Sequence, residues 1–234
     1  MNIVVTGASS GIGFEIAKAL ATKNHTVVAI ARRGERLAHL EAECLKVNPS
    51  AKIFTVEYDL ALLSETGNNL LEYITRLLPF VDILVNNAGL LKKAHFAELN
   101  LKDFSETFAV NVFAPAELSR LLLPLMGKRN AHIVNISSMG GFQGSSKFPG
   151  IAAYSSSKAA LNCLTECLAV ELAEVNIKVN CLALGAVRTE MLAKAFPHYK
   201  ASVTAEQMGE YIAQFALNGH HYFNGKIIPV SLAP

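Results

Sequence analysis

Short apolar runs rich in valine and isoleucine alternate along this chain with longer segments in which apolar residues recur every three or four positions. The short runs are typical of buried strands, and the longer spacing is typical of amphipathic helices. The runs predict strands over residues 3–6, 26–30, 52–57, 81–86, 132–137, 178–183 and 226–231. The spacing predicts helices over residues 11–23, 33–47, 62–78, 101–126, 153–174 and 205–216. Strands and helices therefore alternate along most of the chain.

This alternation predicts a parallel, doubly wound α/β sheet. Strands that are apolar along their whole length need cover on both faces, and the intervening helices are long enough to cross over between parallel strands. The crossovers are expected to be right-handed. The chain is 51% hydrophobic and 17% charged, which is enough apolar material for a sizeable core. We expect a single domain over residues 1–234, because no Pro/Gly/Ser linker divides the chain.

Composition and charge argue against several kinds of partner. The formal net charge of +2 includes no Lys/Arg-rich block, so we expect no binding to nucleic acid or to an anionic membrane. A membrane span needs roughly 20 consecutive apolar residues, and charges, Gly or Pro interrupt every apolar stretch of this chain before that length. We also expect no export signal, because the first apolar run reaches Thr6 without a basic leader before it. The four cysteines form no C-x-x-C pair, and His220-His221 lacks ligand partners at metal spacing. We therefore expect a cytoplasmic protein without a metal site.

A glycine-rich turn joins the first predicted strand to the first predicted helix, with the sequence Thr6-Gly7-Ala8-Ser9-Ser10-Gly11-Ile12-Gly13. Gly7 permits a tight turn, Gly11 lets the backbone approach a diphosphate, and Gly13 lets the helix pack on the strand. The helix N-terminus offers unpaired N–H groups and a positive dipole end to phosphate. The spacing departs from G-x-G-x-x-G, so the turn predicts a dinucleotide site only together with other motifs.

Tyr154 and Lys158 are four residues apart at the start of the helix predicted over residues 153–174, so they share one helix face. A free phenol has a pKa near 10, and a neighbouring ammonium lowers that pKa by favouring the phenolate. Tyr154 is therefore predicted to exchange protons near neutral pH. The same spacing also occurs on ordinary surface helices, so the pair carries this meaning only beside the other motifs.

Three motifs follow one another in the chain: T-G-x-x-x-G-x-G at residues 6–13, Asn86-Asn87-Ala88-Gly89 after the fourth strand, and Tyr154-x-x-x-Lys158. With them the chain resembles the short-chain dehydrogenase/reductase family over nearly its whole length. The resemblance implies a Rossmann-type, seven-stranded parallel sheet in the order 3-2-1-4-5-6-7, with a nicotinamide coenzyme across the carboxyl ends of the strands. It also implies hydride transfer between nicotinamide and a carbonyl or alcohol, with Tyr154 as proton donor or acceptor.

The resemblance implies two further catalytic positions. Ser138 matches the serine at the end of the family's fifth strand, where its hydroxyl would donate to the carbonyl oxygen. Ser137 is the alternative, although its side chain points to the opposite face of a regular strand. Asn111 matches an Asn that helps hold a water molecule between the active-site Lys and solvent. A hydrogen bond from Asn111 to core backbone would satisfy this side chain equally well.

The end of the second strand indicates which coenzyme is used. An acid there would bind the ribose hydroxyls of NAD, but the chain has Ala31-Arg32-Arg33. A guanidinium pairs bidentately with phosphate, so we expect NADP(H), with Arg32 as the stronger contact and Arg33 as the second. A solvated helix start would also explain both arginines. Beside the glycine-rich turn, Tyr154 and Lys158, the resemblance places coenzyme contacts at Asp59, Leu60, Asn86, Ala88, Gly89, Val187 and Thr189.

Loops that follow the strands indicate the substrate class. They carry Met139, Phe142, Phe148, Met191, Leu192 and Phe196, which favour an apolar ketone or aldehyde unless these side chains pack only on one another. A 3-oxoacyl substrate is compatible with that pocket. The family commonly has Pro-Gly after the sixth strand, whereas this chain has Leu184-Gly185, so the loop loses the fixed φ of proline.

The fourth and fifth predicted helices are apolar around much of their circumference, including Phe108, Phe113 and Leu168. A homodimer or homotetramer would cover this surface, as the resemblance also implies. A monomer with a fuller core is the alternative. A non-catalytic regulator that senses NADP is a second alternative for the function, but such a protein would be expected to lack part of the set Ser138, Tyr154 and Lys158.

Overall fold

A parallel sheet of seven strands runs through the protein in the order β3-β2-β1-β4-β5-β6-β9. The structure is a computed structural model that describes residues 1–127 and 130–232. The sheet strands are β1 (Asn2–Thr6), β2 (Thr26–Ala31), β3 (Lys52–Glu57), β4 (Ile83–Asn86), β5 (Ala131–Ser138), β6 (Ile177–Leu184) and β9 (Ile227–Val230). Two short strands, β7 (Val187–Arg188) and β8 (Val203–Thr204), pair with each other outside this sheet. The predicted doubly wound fold and strand order are confirmed, and these short strands make the last one the ninth.

Helices cover both faces of the sheet. They are α1 (Gly11–Thr22), α2 (Gly34–Val47), α3 (Leu63–Leu77), α4 (Leu101–Phe108), α5 (Ala114–Leu122), α6 (Ala152–Glu171), α7 (Glu190–Ala195) and α8 (Ala205–Asn218). Buried side chains of α1, α2 and α8 form one core, and those of α3, α5 and α6 form the other. Residues 128, 129, 233 and 234 lie outside the described residues, so the span 1–234 stays a prediction.

Strand β1 shows why the sheet strands are apolar along their whole length. Ile3 and Val5 point into the core beneath α1, whereas Val4 points into the core beneath α3. All three side chains are fully buried. Because successive side chains of a strand alternate between faces, a sheet covered on both sides needs apolar residues at consecutive positions.

The prediction of one continuous helix over residues 101–126 is wrong in detail. A π-helical turn, Ala109–Phe113, separates α4 from α5, and the N–H of Ala114 donates to the carbonyl of Ala109, five residues earlier. Pro115 explains the interruption, because it has no N–H to offer the carbonyl of Asn111 four residues before it. The π turn therefore lies where the regular α-helical hydrogen-bond pattern cannot continue.

The stretch Leu101–Leu125 is long and apolar enough, by length and composition alone, to cross a membrane, and it is the one such stretch among the described residues. The same test is passed by core helices of proteins that have no membrane span. Here α5 contributes Leu118 and Leu122 to the core shared with α3. On its other side, Glu117 and Arg120 form an ion pair at 2.6 Å.

Candidate active site

A cleft of about 720 Å³ opens along the carboxyl ends of the sheet strands. Strands β1, β4, β5 and β6 all end at this edge, which is where open α/β sheets bind their ligands. Most residues predicted to bind a coenzyme or to act in catalysis line the cleft: Gly7, Ser9, Ser10, Gly11, Ile12, Gly13, Arg32, Arg33, Asp59, Leu60, Ala88, Gly89, Ser138, Tyr154, Lys158, Val187 and Thr189. Asn86 and Asn111 are the two predicted residues that do not line it.

The glycine-rich turn after β1 has the backbone that its sequence predicts. Gly7 and Gly11 have φ angles of +69° and +57°, a region in which other residues are strained. A Cβ on Gly7 would lie 2.8 Å from Cα of Ala88. No side chain of the described residues caps α1 at Ser10, so its first-turn N–H groups remain available. The turn and the helix start together form a cradle suited to phosphate.

Thr6 and Asn87 hold the ends of β1 and β4 together at the floor of the cleft. The Thr6 hydroxyl accepts hydrogen bonds from the backbone N–H groups of Asn87 and Ala88, both at 3.0 Å. The Asn87 side chain donates to the Thr6 carbonyl at 2.9 Å. Both residues belong to motifs that the sequence shows, but their contact becomes visible only once β1 and β4 are known to be neighbours.

Asn86, a predicted coenzyme contact, does not line the cleft, and its side chain is bound within the core instead. Its Nδ2 donates to Asn135 on β5 at 2.9 Å, and Asn135 donates in turn to Thr165 on α6 at 2.9 Å. The reason is strand alternation, since Asn86 ends β4 with its side chain directed into the protein. Asn87, one residue later, lines the cleft instead.

The two arginines after β2 have different surroundings. Arg33 donates from Nη2 to the hydroxyls of Ser9, at 3.0 Å, and Ser10, at 2.7 Å, so its guanidinium lies against the glycine-rich turn. The Arg32 side chain is 65% exposed, and its Nη1 lies 3.9 Å from Asp59. Although the sequence favours Arg32, the structure places Arg33 closer to the cradle.

An ion pair that sequence reasoning missed links α2 to α7 across the mouth of the cleft. Nη1 of Arg36 lies 2.7 Å from Glu190 Oε1 and 2.8 Å from Oε2. Glu190 also lies 3.8 Å from Arg33. No sequence signal marks this pair, because the two residues are 154 positions apart and α7 was not predicted.

The two serines at the end of β5 are distinguished by their hydrogen bonds. The hydroxyl of Ser137 is buried and donates to the backbone carbonyl of Lys158 at 3.1 Å. The hydroxyl of Ser138 accepts from the N–H of Gly140 at 3.1 Å, and it lies close enough to Tyr154 to act on the pKa of the phenol. The structure therefore brings Ser138 and Tyr154 together, whereas Ser137 fastens β5 to α6.

Tyr154 and Lys158 share one face of α6, as their spacing predicts. Lys158 Nζ lies 5.8 Å from the centre of the Tyr154 ring and donates to the carbonyl of Ile136 at 2.8 Å. Burial lowers the pKa of Lys158 to about 8. Burial also raises the pKa of Tyr154, with the Ser138 hydroxyl acting in the opposite direction. The predicted fall of the Tyr154 pKa is therefore wrong for this structure, because desolvation of the phenol outweighs its polar contacts.

Asn111 lies in the π turn, fully buried beneath the cleft. Its side chain accepts from the N–H of Leu90 at 2.7 Å and donates to the Leu90 carbonyl at 2.9 Å. It also donates to the hydroxyl of Ser157 at 2.9 Å. Of the two interpretations that the sequence left open, these contacts favour hydrogen bonding to core backbone for the side chain.

Apolar side chains line the part of the cleft next to Tyr154. They are Met139, Phe148, Met191, Leu192 and Phe196. Phe148 and Phe196 meet edge to face, with ring centres 6.3 Å apart. Phe142, which the sequence grouped with them, does not line the cleft.

Together the doubly wound sheet, the glycine-rich cradle and the Ser138, Tyr154 and Lys158 cluster define a dinucleotide-binding protein with a polar centre at the sheet edge. Residues 1–200 match the family model for short chain dehydrogenases. A 3-oxoacyl-[acyl-carrier-protein] reductase from Aquifex aeolicus is 39% identical over 191 residues, covering 81% of this chain and 75% of the relative. The chain belongs to the short-chain dehydrogenase/reductase family.

Two further comparisons extend this result. A dehydrogenase/reductase SDR family protein 7-like from Drosophila melanogaster is 35% identical over 81% of this chain, but the match spans only 58% of that relative's length. A solved structure, an NAD(P)-dependent gluconate 5-dehydrogenase candidate from Beutenbergia cavernae with bound NADP, superposes with a TM-score of 0.87 at 32% identity. That superposition covers 98% of this chain and 94% of the other.

Proposed function

We propose that this protein is an NADP(H)-dependent oxidoreductase that reduces a ketone or aldehyde to an alcohol, with Ser138, Tyr154 and Lys158 as its catalytic residues and Asn111 as the residue that positions the backbone beneath them. The observation that carries the proposal is that Ser138, Tyr154 and Lys158 line the same cleft as the glycine-rich cradle. The comparisons support an oxidoreductase of the short-chain family. They leave the coenzyme and the substrate as parts of this proposal.

The residues of the cleft suit a nicotinamide dinucleotide. When bound, the coenzyme supplies the hydride. The cradle at Gly7 and Gly11 and the free start of α1 would hold its diphosphate, because backbone N–H groups there need a partner. Arg33, with Ser9 and Ser10 beside it, would bind the phosphate that distinguishes NADP from NAD. The predicted contacts at Asp59, Leu60, Ala88, Gly89, Val187 and Thr189 all border the same cleft.

Tyr154 acts as the proton donor in this proposal. Its raised pKa keeps the phenol protonated at neutral pH, which is the form needed to protonate the oxygen of a reduced carbonyl. The Ser138 hydroxyl donates a hydrogen bond to the same oxygen as negative charge develops. A protonated phenol and a serine hydroxyl are the two donors that reduction of a carbonyl requires.

Lys158 and Asn111 are buried residues that support the proposed reaction of Ser138 and Tyr154. Lys158 is 3% exposed, and its ammonium lies at the cleft floor, where it would attract the coenzyme and restore the Tyr154 proton. Asn111 holds the backbone of Leu90, which adjoins the coenzyme contact Gly89. A non-catalytic regulator would not need this complete set.

The substrate in this proposal has an apolar body. Phe148, Met191 and Phe196 offer apolar surface beside Tyr154, and such surface favours apolar ligands. Because a relative at 39% identity is a 3-oxoacyl-[acyl-carrier-protein] reductase, 3-oxoacyl compounds are the first substrates to test.

The decisive experiment follows nicotinamide absorbance over a panel of apolar ketones, 3-oxoacyl thioesters and sugar-like carbonyls, with NADPH and with NADH. Tyr154→Phe should lose at least ~99% of turnover, since removing a general acid typically costs 10²–10⁴-fold, while still binding NADPH. Tyr73→Phe, at an exposed tyrosine of α3, is the matched control and should behave as wild type. Full turnover by Tyr154→Phe would refute the catalytic proposal.

We also propose that the protein forms a homodimer or homotetramer and that it is located in the cytoplasm. Leu101 on α4, Phe113 in the π turn and Val170 on α6 are 83%, 60% and 77% exposed, so apolar area is left for a second copy to cover. The four cysteines are free thiols, as in a reducing compartment. Light scattering at micromolar concentration tests the assembly, and a monomer mass would exclude it. Cell fractionation tests the location.

A further inference from the structure

Three chain segments form a rim around the substrate part of the cleft, namely residues 88–97, 139–152 and 191–203. The segments contact one another directly. The N–H of Ala94 donates to the carbonyl of Gly150 at 3.0 Å, and Lys93 Nζ donates to the carbonyl of Ala195 at 2.7 Å. Residues 139–152 lie between Ser138 and Tyr154 in the chain, and all three segments contribute residues to the cleft that contains these two side chains.

The rim carries charge of one sign. Its segments contain five lysines, Lys92, Lys93, Lys147, Lys194 and Lys200, and no Asp or Glu, in a chain whose 21 basic and 19 acidic residues nearly balance. Only Lys92 has carboxylate partners, Asp103 and Glu106, among the residues that the structure describes. Lysines therefore outnumber acids around the substrate end of the cleft, where the neighbouring acid Glu190 also lines the cleft but is paired with Arg36.

Two of these lysines are already engaged with neutral groups. Lys147 donates to the carbonyl of Phe142 at 2.6 Å, and Lys93 lies 4.1 Å from the centre of the Phe196 ring. Lys194 differs, because it lines the cleft and makes no hydrogen bond or ion pair within the described part of the chain. The acid of the same helix, Glu190, is bound to Arg36. Lys194 thus leaves an ammonium uncompensated beside an apolar wall.

We propose that the substrate carries an anionic group, a carboxylate or a phosphate, at the end remote from its carbonyl, and that Lys194 binds this group. The inference rests on the proposed carbonyl reductase function. It narrows the substrate class to ketones or aldehydes that have an apolar chain and a carboxylate or phosphate at the far end. The like-charged lysines of the rim would raise the local concentration of such anions, and salt would screen the effect.

A purely structural role for Lys194 makes a different prediction. Lys194 lies in the last turn of α7, where a cation stabilises the helix dipole. If that were its whole role, replacing it would affect acidic and neutral substrates equally. The comparison of matched acidic and neutral ketones therefore separates the two roles.

The kinetic test uses methyl ketones with a terminal carboxylate on chains of increasing length, each paired with its methyl ester, and one ketone series that ends in phosphate. Wild type should show a higher kcat/KM for the anion than for the ester at a favoured chain length. Lys194→Met should lower kcat/KM for the anion by about fivefold, the upper range for an exposed charge pair, and leave the ester within about twofold. Lys194→Glu should reverse the preference.

A binding measurement keeps the inference testable without turnover. Tyr154→Phe, with and without saturating NADPH, is titrated calorimetrically with each acid and its ester, and Lys194→Met is then added to that background. The acid should bind more tightly than the ester only while Lys194 is present. Lys52→Met, at an exposed lysine on β3, controls for the loss of one positive charge from the protein.

The possible outcomes are distinct. Equal kcat/KM and equal Kd values for acids and esters in wild type, or equal losses for both on Lys194→Met, would overturn the anion site while leaving the reductase intact. Failure of wild type to reduce any carbonyl in the panel would instead remove the proposed function, and the calorimetric comparison would still decide whether Lys194 binds anions. The carboxylate and phosphate series show which anion is preferred.

Discussion

Arg32 and Arg33 are adjacent in sequence, yet their side chains lie in different surroundings, and only Arg33 contacts the glycine-rich turn. Arg33 is already fixed against Ser9 and Ser10, so little side-chain freedom remains to be lost on binding. Arg32 is largely exposed and only distantly paired with Asp59. Proximity to the cradle therefore favours Arg33 as the residue that distinguishes NADP from NAD.

We predict that Arg33→Ala raises the Kd for NADPH by about tenfold, because a charge-assisted hydrogen-bond pair is lost, and changes the Kd for NADH by less than about twofold. Arg32→Ala should have the smaller effect on NADPH. Fluorescence titration of the reduced coenzymes measures both constants, and Arg76→Ala, at an exposed arginine on α3, is the control. Equal losses for NADPH and NADH would show that Arg33 does not contact the extra phosphate.

Lys158 should make coenzyme binding depend on pH if it contacts the coenzyme as proposed. Burial lowers the pKa of its ammonium to about 8, so the cation is present below that pH and is lost above it. Because the coenzyme is an anion, we predict that the affinity for NADPH weakens about fivefold between pH 7 and 9 in wild type. Lys158→Arg stays charged through this range and should show no inflection near pH 8. A flat wild-type profile would contradict the assignment.

At the scale of elements, the π turn between α4 and α5 connects the helical layer to the loop that follows β4. Asn111 projects from that turn and holds both backbone groups of Leu90. Ser157 of α6 takes part in the same group of bonds and donates to the carbonyl of Tyr154 at 2.7 Å. One buried amide thus joins the π turn, the loop that follows β4 and helix α6.

We predict that Asn111→Ala lowers the free energy of unfolding by about 2–3 kcal/mol, because it leaves buried backbone and hydroxyl groups without their partners. Coenzyme affinity should fall as well, since Leu90 adjoins Gly89. Urea unfolding of wild type, Asn111→Ala and the exposed-site control Asn69→Ala measures the first effect. Stability within about 0.5 kcal/mol of wild type would show that these contacts are not maintained in solution.

The sequence predicted the elements whose pattern is local and missed those that depend on distant partners. Strands such as β2 could be predicted because consecutive apolar residues mark buried strands directly. The π turn was missed because an apolar helix pattern continues through it, although Pro115 was the available signal. Helix α7 is only six residues long, too short for a periodic pattern to show.

The residues of the candidate site also divide into those marked by local sequence patterns and those that depend on distant partners. Cleft positions at strand ends, such as Gly7 and Ser138, could be predicted because parallel strands bring their carboxyl ends to one edge, whereas Lys158 on α6 could be predicted from its spacing to Tyr154. The orientation of Asn86 and the ion pair between Arg36 and Glu190 depend on packing between distant segments. The direction of the Tyr154 pKa also escaped prediction, because burial of a side chain cannot be read from spacing.

On the scale of the whole molecule, the sheet separates two polar regions. The cleft occupies the carboxyl edge, whereas a histidine cluster lies towards the amino edge, where β5 begins. His132 is fully buried there, with Nδ1 2.9 Å from the carbonyl of Ala216 on α8 and Nε2 3.1 Å from the Asn180 amide on β6. The rings of His132 and His220 are 5.4 Å apart. His132 therefore joins β5, β6 and α8 through a neutral imidazole, whose Nδ1 donates and Nε2 accepts.

This imidazole should make the protein sensitive to acid far from its active site. Burial lowers the pKa of His132 from the ordinary 6.5 to about 4, so the unfolded chain takes up a proton at a higher pH than the folded protein. The free energy of unfolding should therefore fall by roughly 3 kcal/mol between pH 6.5 and 4, and His220, whose pKa is also lowered by burial, adds to the same trend. Urea unfolding across this range measures the slope. His132→Gln should flatten it even if that variant is less stable at pH 7, whereas His39→Gln, at an exposed histidine on α2, should leave it unchanged. A His132→Gln slope equal to that of wild type would assign the acid sensitivity to other groups and leave His132 with a packing role only.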